Sequence, residues 1–260
     1  MNPVKLNQDE IHLWFAFPEE AKDPNLLSTY EKLLCEEELE RKGRFYFEKH
    51  RHQYLVARAL VRTTLSRYTG IDPRMLRFFR NRYGKPELAA GEIDSSIRFN
   101  LSHTDGLAML GVVLDRDIGV DVEDMGRLEV SSGLAERFFS PNEVKDLASI
   151  PEDLRRSRFF DYWTLKESYI KACGMGLSIP LDQFGFVIPE GSPPRISFSP
   201  QRTDDPLHWQ FRLFHPTDRH RAAVCVRSHR IKYRFSIKRT TPMVDEKDFL
   251  SEPSSLHSDR

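Results

Sequence analysis

A helix that must stop at Gly174 does most to limit how this 260-residue chain can fold. The run Trp163-Thr164-Leu165-Lys166-Glu167-Ser168-Tyr169-Ile170-Lys171-Ala172-Cys173 has the spacing of an amphipathic helix. Glycine is the residue that most readily takes the left-handed turn closing such an element. At about 100° per residue, Phe159, Trp163 and Ile170 fall on one apolar face. Glu167 and Lys171, four positions apart, project together from its edge. Lys166 lies inside the apolar stripe, where a cation is costly unless something anionic meets it. An acid and two amines are thus delivered to one boundary between core and solvent. Alone, the segment reads first as an ordinary surface helix with a Glu–Lys pair. It gains meaning from a second acidic and a second basic segment elsewhere.

The order of elements around this helix suggests a repeat. His12–Phe17 reads as a first strand, and residues Leu26 to Tyr68 read as helical up to the stop at Gly70. Leu76–Phe79 is a short strand, Tyr83-Gly84-Lys85-Pro86 a turn, Leu107–Leu114 a buried strand and Ile118–Glu123 another. A second set then follows. Val130–Phe139 and Pro141–Ser149 read as helices, the latter capped by Ser140 with Glu143 three residues on. Next come the long helix Pro151–Cys173 and the strands Gln183–Val187, Arg195–Phe198, His208–Phe214 and Arg221–Val226. The expected fold class is α+β, in two similar halves: residues 1–115 and 116–238. Residues 239–260, polar with few apolar positions, are expected to be unstructured.

Gly119-Val120-Asp121-Val122-Glu123 is the second acidic segment. On a strand, Asp121 and Glu123 share one face while Ile118, Val120 and Val122 point to the core. Neighbouring carboxylates repel, so this face calls for a compensating cation. A hard divalent ion with few protein ligands, such as Mg²⁺ bridging to a phosphate, suits it, with Glu167 as a candidate third ligand. Phe99-Asn100-Leu101-Ser102-His103-Thr104-Asp105-Gly106 reads as a turn-rich approach to the next strand, with a histidine able to bond a phosphate. Arg80-Asn81-Arg82-Tyr83-Gly84-Lys85-Pro86 gathers three cations around a tight turn whose glycine would let backbone approach a ligand. Arg41, Arg44, Arg58 and Arg62 add cations on the early helices. Acids for a metal and cations for several phosphates are the sum.

Composition narrows the function classes. Lys plus Arg and Asp plus Glu each number 39, for a formal net charge of zero, so no overall attraction to nucleic acid or to an anionic membrane is expected. The three cysteines, Cys35, Cys173 and Cys225, are far apart and lack metal spacing, as expected for free thiols in the cytoplasm. The N-terminus has no signal-peptide pattern, and Leu107–Leu114 is too short to span a bilayer.

Taken in order, these segments resemble the Sfp-type 4′-phosphopantetheinyl transferase family. The resemblance rests on Gly119–Glu123, on Trp163, Lys166, Glu167, Ser168, Lys171 and Gly174 with Gly176-Leu177, and on Tyr83–Pro86. Asn100–His103 and Arg137–Ser140 with Glu143 extend it over most of residues 35–230. It implies two pseudo-symmetric α+β halves with the active site at their interface. It also implies transfer of 4′-phosphopantetheine from coenzyme A to a serine of an apo acyl or peptidyl carrier protein, releasing adenosine 3′,5′-bisphosphate. By that resemblance Asp121, Glu123 and Glu167 hold Mg²⁺ and Glu167 is the base. Lys171 assists the leaving phosphate, and Lys166 binds phosphate. Arg41, Arg80, Gly84, Lys85, Pro86, Ser102 and His103 bind coenzyme A. Arg41 stands where some relatives carry lysine. A monomer is expected, since both halves share one chain. The competing readings are a coenzyme A- or nucleotide-binding module without transfer activity and a Mg²⁺-dependent phosphohydrolase.

Overall fold

A computed structural model describes residues 2–89, 96–126, 132–228 and 231–250. Its first half runs β1 (Glu10–Ala16), α1 (Pro24–Glu31), α2 (Glu36–Gly43) and α3 (Glu48–Thr69). The hairpin β2 (Phe78–Arg80) and β3 (Pro86–Leu88) follows, then β4 (Ile97–Thr104) and β5 (Leu107–Leu114). The same order recurs in β6 (Ile118–Asp124), α4 (Ser132–Phe138), α5 (Pro141–Ser149), α6 (Glu152–Cys173), the hairpin β7 (Phe184–Val187) and β8 (Arg195–Phe198), β9 (Trp209–Thr217) and β10 (His220–Arg227). Two further strands, β11 (Arg234–Thr241) and β12 (Asp245–Asp248), come last.

Sheet order repeats as well. One sheet runs β12-β11-β1-β5-β4 and the other β6-β10-β9, so in both halves the first strand lies against the last and that against the one before it. The long helices α3 and α6 each have 22 residues and end on a left-handed glycine, Gly70 (φ 75°) and Gly174 (φ 64°). Pro at the first position starts α1 behind Asp23 and α5 behind Ser140, where the missing proline N–H costs nothing.

Three apolar layers follow from strand alternation. Trp14 and Ala16 face α3, whereas Ile11, Leu13 and Phe15 face the second sheet. There they meet Ile118, Val120 and Val122 of β6, as the alternation in Gly119–Glu123 requires. Phe159, Tyr162, Leu165 and Tyr169 of α6 close the far side against Ala223 and Cys225 of β10. The order is helix, sheet, sheet, helix. Among the described residues no helix is long and apolar enough to cross a membrane.

Three expectations change. Residues Leu26–Tyr68 form three helices rather than one run, because the chain turns at 32–35 and again at 44–47. The segment around Asn100–His103 is strand β4, not a turn; its polar residues serve the neighbouring β6. Residues 239–248 are not unstructured: Arg239–Thr241 completes β11, which runs parallel to β1 and occupies its free edge, with Ile237 in the core. β12 then pairs with β11, and residues 251–260 lie outside the described residues. Val130, where a helix was expected to begin, also lies outside them.

Candidate active site

Gly119 decides where α6 sits. A Cβ at that position would lie 2.0 Å from the Ser168 carbonyl oxygen and 2.4 Å from the Ala172 nitrogen, both backbone atoms of α6. Only hydrogen fits, so the helix lies directly on β6. Asp121, two residues along the same face, then comes under the next turn of the helix. That seating brings Lys171 to Asp121.

The contact is close. Lys171 Nζ lies 2.5 Å from Asp121 Oδ1 and donates to Ser102 Oγ at 2.9 Å. Ser102 Oγ donates to the same Asp121 oxygen at 3.0 Å and accepts the Val122 backbone N–H at 3.3 Å. Two residues earlier on β4, Asn100 Oδ1 accepts the Val120 N–H at 2.8 Å. Alternate side chains of β4 therefore satisfy the edge amides of β6, which β10 leaves unpaired, and in doing so join the two halves. Asp121 is 2% exposed, and its second oxygen, Oδ2, is buried with no hydrogen-bond partner. Burial pushes the Glu167 carboxyl above its usual range; the Asp121 carboxylate raises it further, and Lys171 opposes the rise. Asp121, Glu167 and Lys171 thus form one electrostatic unit.

A cation-lined cavity of about 630 Å³ lies in the first half, of a size suited to a nucleotide-like ligand. Arg41, Arg58, Arg62, Arg77 and Arg80 line it with Tyr54, Phe78, Pro86, Leu101 and His103, against the two carboxylates Glu37 and Glu38. His103 follows Ser102 on β4, so alternation places Ser102 in the polar cluster and His103 in the cavity wall. Arg41 packs over Tyr54, its guanidinium carbon 6.0 Å from the ring centre. Arg77 and Tyr54 escape a reading of motifs, because neither belongs to a charged run or a tight turn.

Several expected site residues are placed otherwise. Lys166 does not reach the cluster or the cavity. It is 1% exposed, lies 2.9 Å from Glu143, donates to the carbonyls of Leu181 (2.8 Å) and Phe184 (2.6 Å), and packs over the Phe184 ring. The awkward cation of the apolar stripe is answered by a buried capping-box glutamate, not by a phosphate. Lys85 is also turned inward: its ammonium donates to Ile118 O at 3.0 Å and Ala172 O at 3.2 Å, and burial lowers its pKa. With Asn81, which donates to Gly174 O at 3.0 Å, it fastens the first-half turn to the end of α6. Gly84 has φ 90°, a backbone conformation that by itself favours glycine there. Ser102 is engaged with protein partners. Arg44 pairs with Glu40 and Arg82 lies over Tyr83, and neither lines the cavity. Among the described residues no three His, Cys, Asp or Glu side chains are gathered closely enough to hold a metal ion. Asp121, Glu123 and Glu167 are therefore not assembled as a closed set of ligands. Lys171 rather than a third carboxylate lies on Asp121.

Comparison with known proteins bears on both halves. The sequence profile of the 4′-phosphopantetheinyl transferase superfamily matches residues 117–225, and that of a 4′-phosphopantetheinyl transferase N-terminal region matches 22–113. The chain is 34% identical over 223 residues to the 4′-phosphopantetheinyl transferase HetI of Nostoc sp., covering 86% of this chain and 90% of that one. It is 34% identical over 188 residues to a putative 4′-phosphopantetheinyl transferase of Synechocystis sp., covering 72% and 74%. To the 4′-phosphopantetheinyl transferase Sfp of Bacillus subtilis it is 36% identical over 148 residues, covering 57% and 63%. Matched along nearly the whole of the first relative and in both halves, the chain belongs to the 4′-phosphopantetheinyl transferase family.

Proposed function

We propose that this chain transfers the 4′-phosphopantetheine group of coenzyme A to a serine hydroxyl of an apo acyl or peptidyl carrier protein, in a Mg²⁺-dependent reaction, with Glu167, Lys171 and Asp121 at its centre. The observation that carries the assignment of roles is the Lys171–Asp121–Ser102 cluster beside a half-buried glutamate whose proton affinity is raised. A carboxyl in that state suits a general base, since its affinity is brought toward that of the proton it must take. The Arg-lined cavity, with His103 in its wall, supplies cations for the phosphates of the nucleotide end.

The donor set fits a hard divalent ion. Asp121 offers a buried oxygen with no partner, and Glu167 adds a second carboxylate, with Glu123 on the same strand face. Mg²⁺ bound there would neutralise the pyrophosphate and the charge that develops as it breaks. The carrier serine oxygen bonds to the phosphorus bearing pantetheine, Glu167 accepts the serine proton, and the bridging P–O bond to the adenosine side breaks. Lys171 hydrogen-bonds the oxygen on which that electron pair settles. Ser102 and Asn100 hold β6, and through it Asp121, in register with the first half. Most of the rate gain comes from such positioning and charge stabilisation, as in other phosphoryl transfers.

Incubation with coenzyme A, Mg²⁺ and a panel of apo carriers should add the phosphopantetheine mass to at least one of them, read by mass spectrometry. No gain on any carrier, alongside calorimetric binding of coenzyme A, would leave a binding module. Release of phosphopantetheine without a carrier would leave a hydrolase. We further propose a monomeric cytoplasmic protein.

A further inference from the structure

Asp121 is satisfied on one oxygen only. Oδ1 takes both the Lys171 ammonium at 2.5 Å and the Ser102 hydroxyl at 3.0 Å, while Oδ2 is buried and without a partner. A buried carboxylate normally finds partners for both oxygens, and leaving one bare costs free energy. The arrangement is therefore an incomplete answer to the charge of Asp121. The two partners of Oδ1 also differ in mobility. Ser102 is fixed by β4 and by the Val122 N–H, whereas the Lys171 side chain is 28% exposed and ends a flexible four-carbon stem. One partner can leave and the other cannot.

We propose that the Lys171 ammonium is a resident counter-ion of Asp121, held there by Ser102, which a divalent cation must displace before the site works. Two cations on the two oxygens of one buried carboxylate lie close enough to repel strongly, so a metal at Oδ2 competes with the ammonium on Oδ1. Displacement sends Lys171 outward along its exposed side. Metal loading and release of the lysine toward the phosphates are then one event. Without metal, Lys171 neutralises Asp121 and protects the fold from an unpaired buried charge. Ser102 is a positioning residue in this scheme: it orients the ammonium and the carboxylate but is not displaced. The inference rests on the assignment of Asp121 to the metal under the proposed reaction.

Direct Mn²⁺ binding without coenzyme A tests it, read from the electron paramagnetic resonance signal of the free ion on the full chain. Lys171→Gln should bind Mn²⁺ about tenfold or more tightly than the parent, the fold-change expected when a competing charge is removed. Lys171→Arg keeps the charge and should stay within about twofold of the parent. Ser102→Ala, which removes one hydrogen bond to the ammonium, should tighten binding about threefold. Circular dichroism establishes that each variant is folded. Equal or weaker binding by Lys171→Gln, while Asp121→Asn abolishes binding, overturns the competition but leaves Asp121 as a ligand. Unchanged binding by Asp121→Asn overturns the assignment of Asp121 itself.

Discussion

The two halves share an outline and differ in how the long helix meets the first strand. Counting back from the closing glycine, Tyr68 in α3 corresponds to Ala172 in α6. Tyr68 Oη lies 2.7 Å from His12 Nδ1 and accepts from Trp14 Nε1 at 2.9 Å, so three large side chains separate α3 from β1. In the second half Ala172 rests on Gly119, and α6 descends onto β6. The counterpart of Lys171 is Arg67, which covers Trp14 and pairs with Glu246 at the surface. The counterpart of Glu167 is Thr63, whose hydroxyl donates to Ala59 O within its own helix. Small residues at one helix–strand contact bring Lys171 onto Asp121; large ones at the other hold helix and strand apart.

What the halves share is a buried ion pair. Arg62 and Lys166 each stand eight residues before the closing glycine. Each meets the capping-box glutamate of the helix before: Glu38, 2.7 Å from Arg62, and Glu143, 2.9 Å from Lys166. Each also donates to two carbonyls of the following loop, Arg62 to Pro73 and Leu76 and Lys166 to Leu181 and Phe184. This correspondence assigns Lys166 to the scaffold more firmly than its burial alone.

The largest expected effect falls on the residues that break the likeness. Glu167→Gln should lower kcat about 10³-fold, as loss of a general base does, with the fold intact by circular dichroism. The matching Thr63→Val should leave transfer near the parent rate; a loss comparable to that of Glu167→Gln would mean the first half takes part in the chemistry.

Next come the shared pairs. Lys166→Met should cost about 3–5 kcal/mol in denaturant unfolding, because it leaves the buried Glu143 carboxylate without its cation, and Arg62→Met should cost less, because Arg58 still pairs with Glu38. Adding Glu143→Leu to Lys166→Met should recover most of that loss, along with transfer activity. A stable double variant without activity would return Lys166 to the reaction.

Gly119→Ala should cost about 3 kcal/mol or more, since a methyl group would meet helix backbone that cannot rotate away. Gly43→Ala, where nothing lies within 4 Å, should show no such loss. Equal stability of the two variants would mean α6 is not seated on β6 as described.

The smallest effect is one of pH. Burial alone would raise the Glu38 carboxyl, but Arg58 and Arg62 together hold it below its ordinary 4.5. A depressed carboxyl lends stability fully above the unfolded value and loses it as pH falls through the folded one. Arg58→Met should therefore move the acid midpoint of unfolding to higher pH than in the parent. An unmoved midpoint would remove Glu38 from the acid response.

Much of the second half was legible along the chain. The stop at Gly174, the capping box at Ser140 and Glu143, and the alternation in Ile118–Glu123 are local rules, and the structure follows each of them. Reading Lys166 as a phosphate contact went astray because a helix wheel shows that a cation needs an anion, not which one. Glu143, 23 positions away, was visible only as a cap. Asn100 and Ser102 looked like turn residues because their partners, the edge amides of Val120 and Val122, belong to the other half. β11 carried little apolar signal of its own, since it is held by a vacant sheet edge.

The sequence by itself determined most elements of the second half and the sequential repeat of strand, helices and strands, because these follow from residue type and short-range period. Tertiary structure alone decided which of two lysines five residues apart enters the core and which meets Asp121. That choice depends on the height of α6 above β6, which a missing Cβ at Gly119 sets, and on the edge of β6 that β4 reaches across the boundary between the halves. Such contacts join residues far apart along the chain, and no local periodicity encodes them.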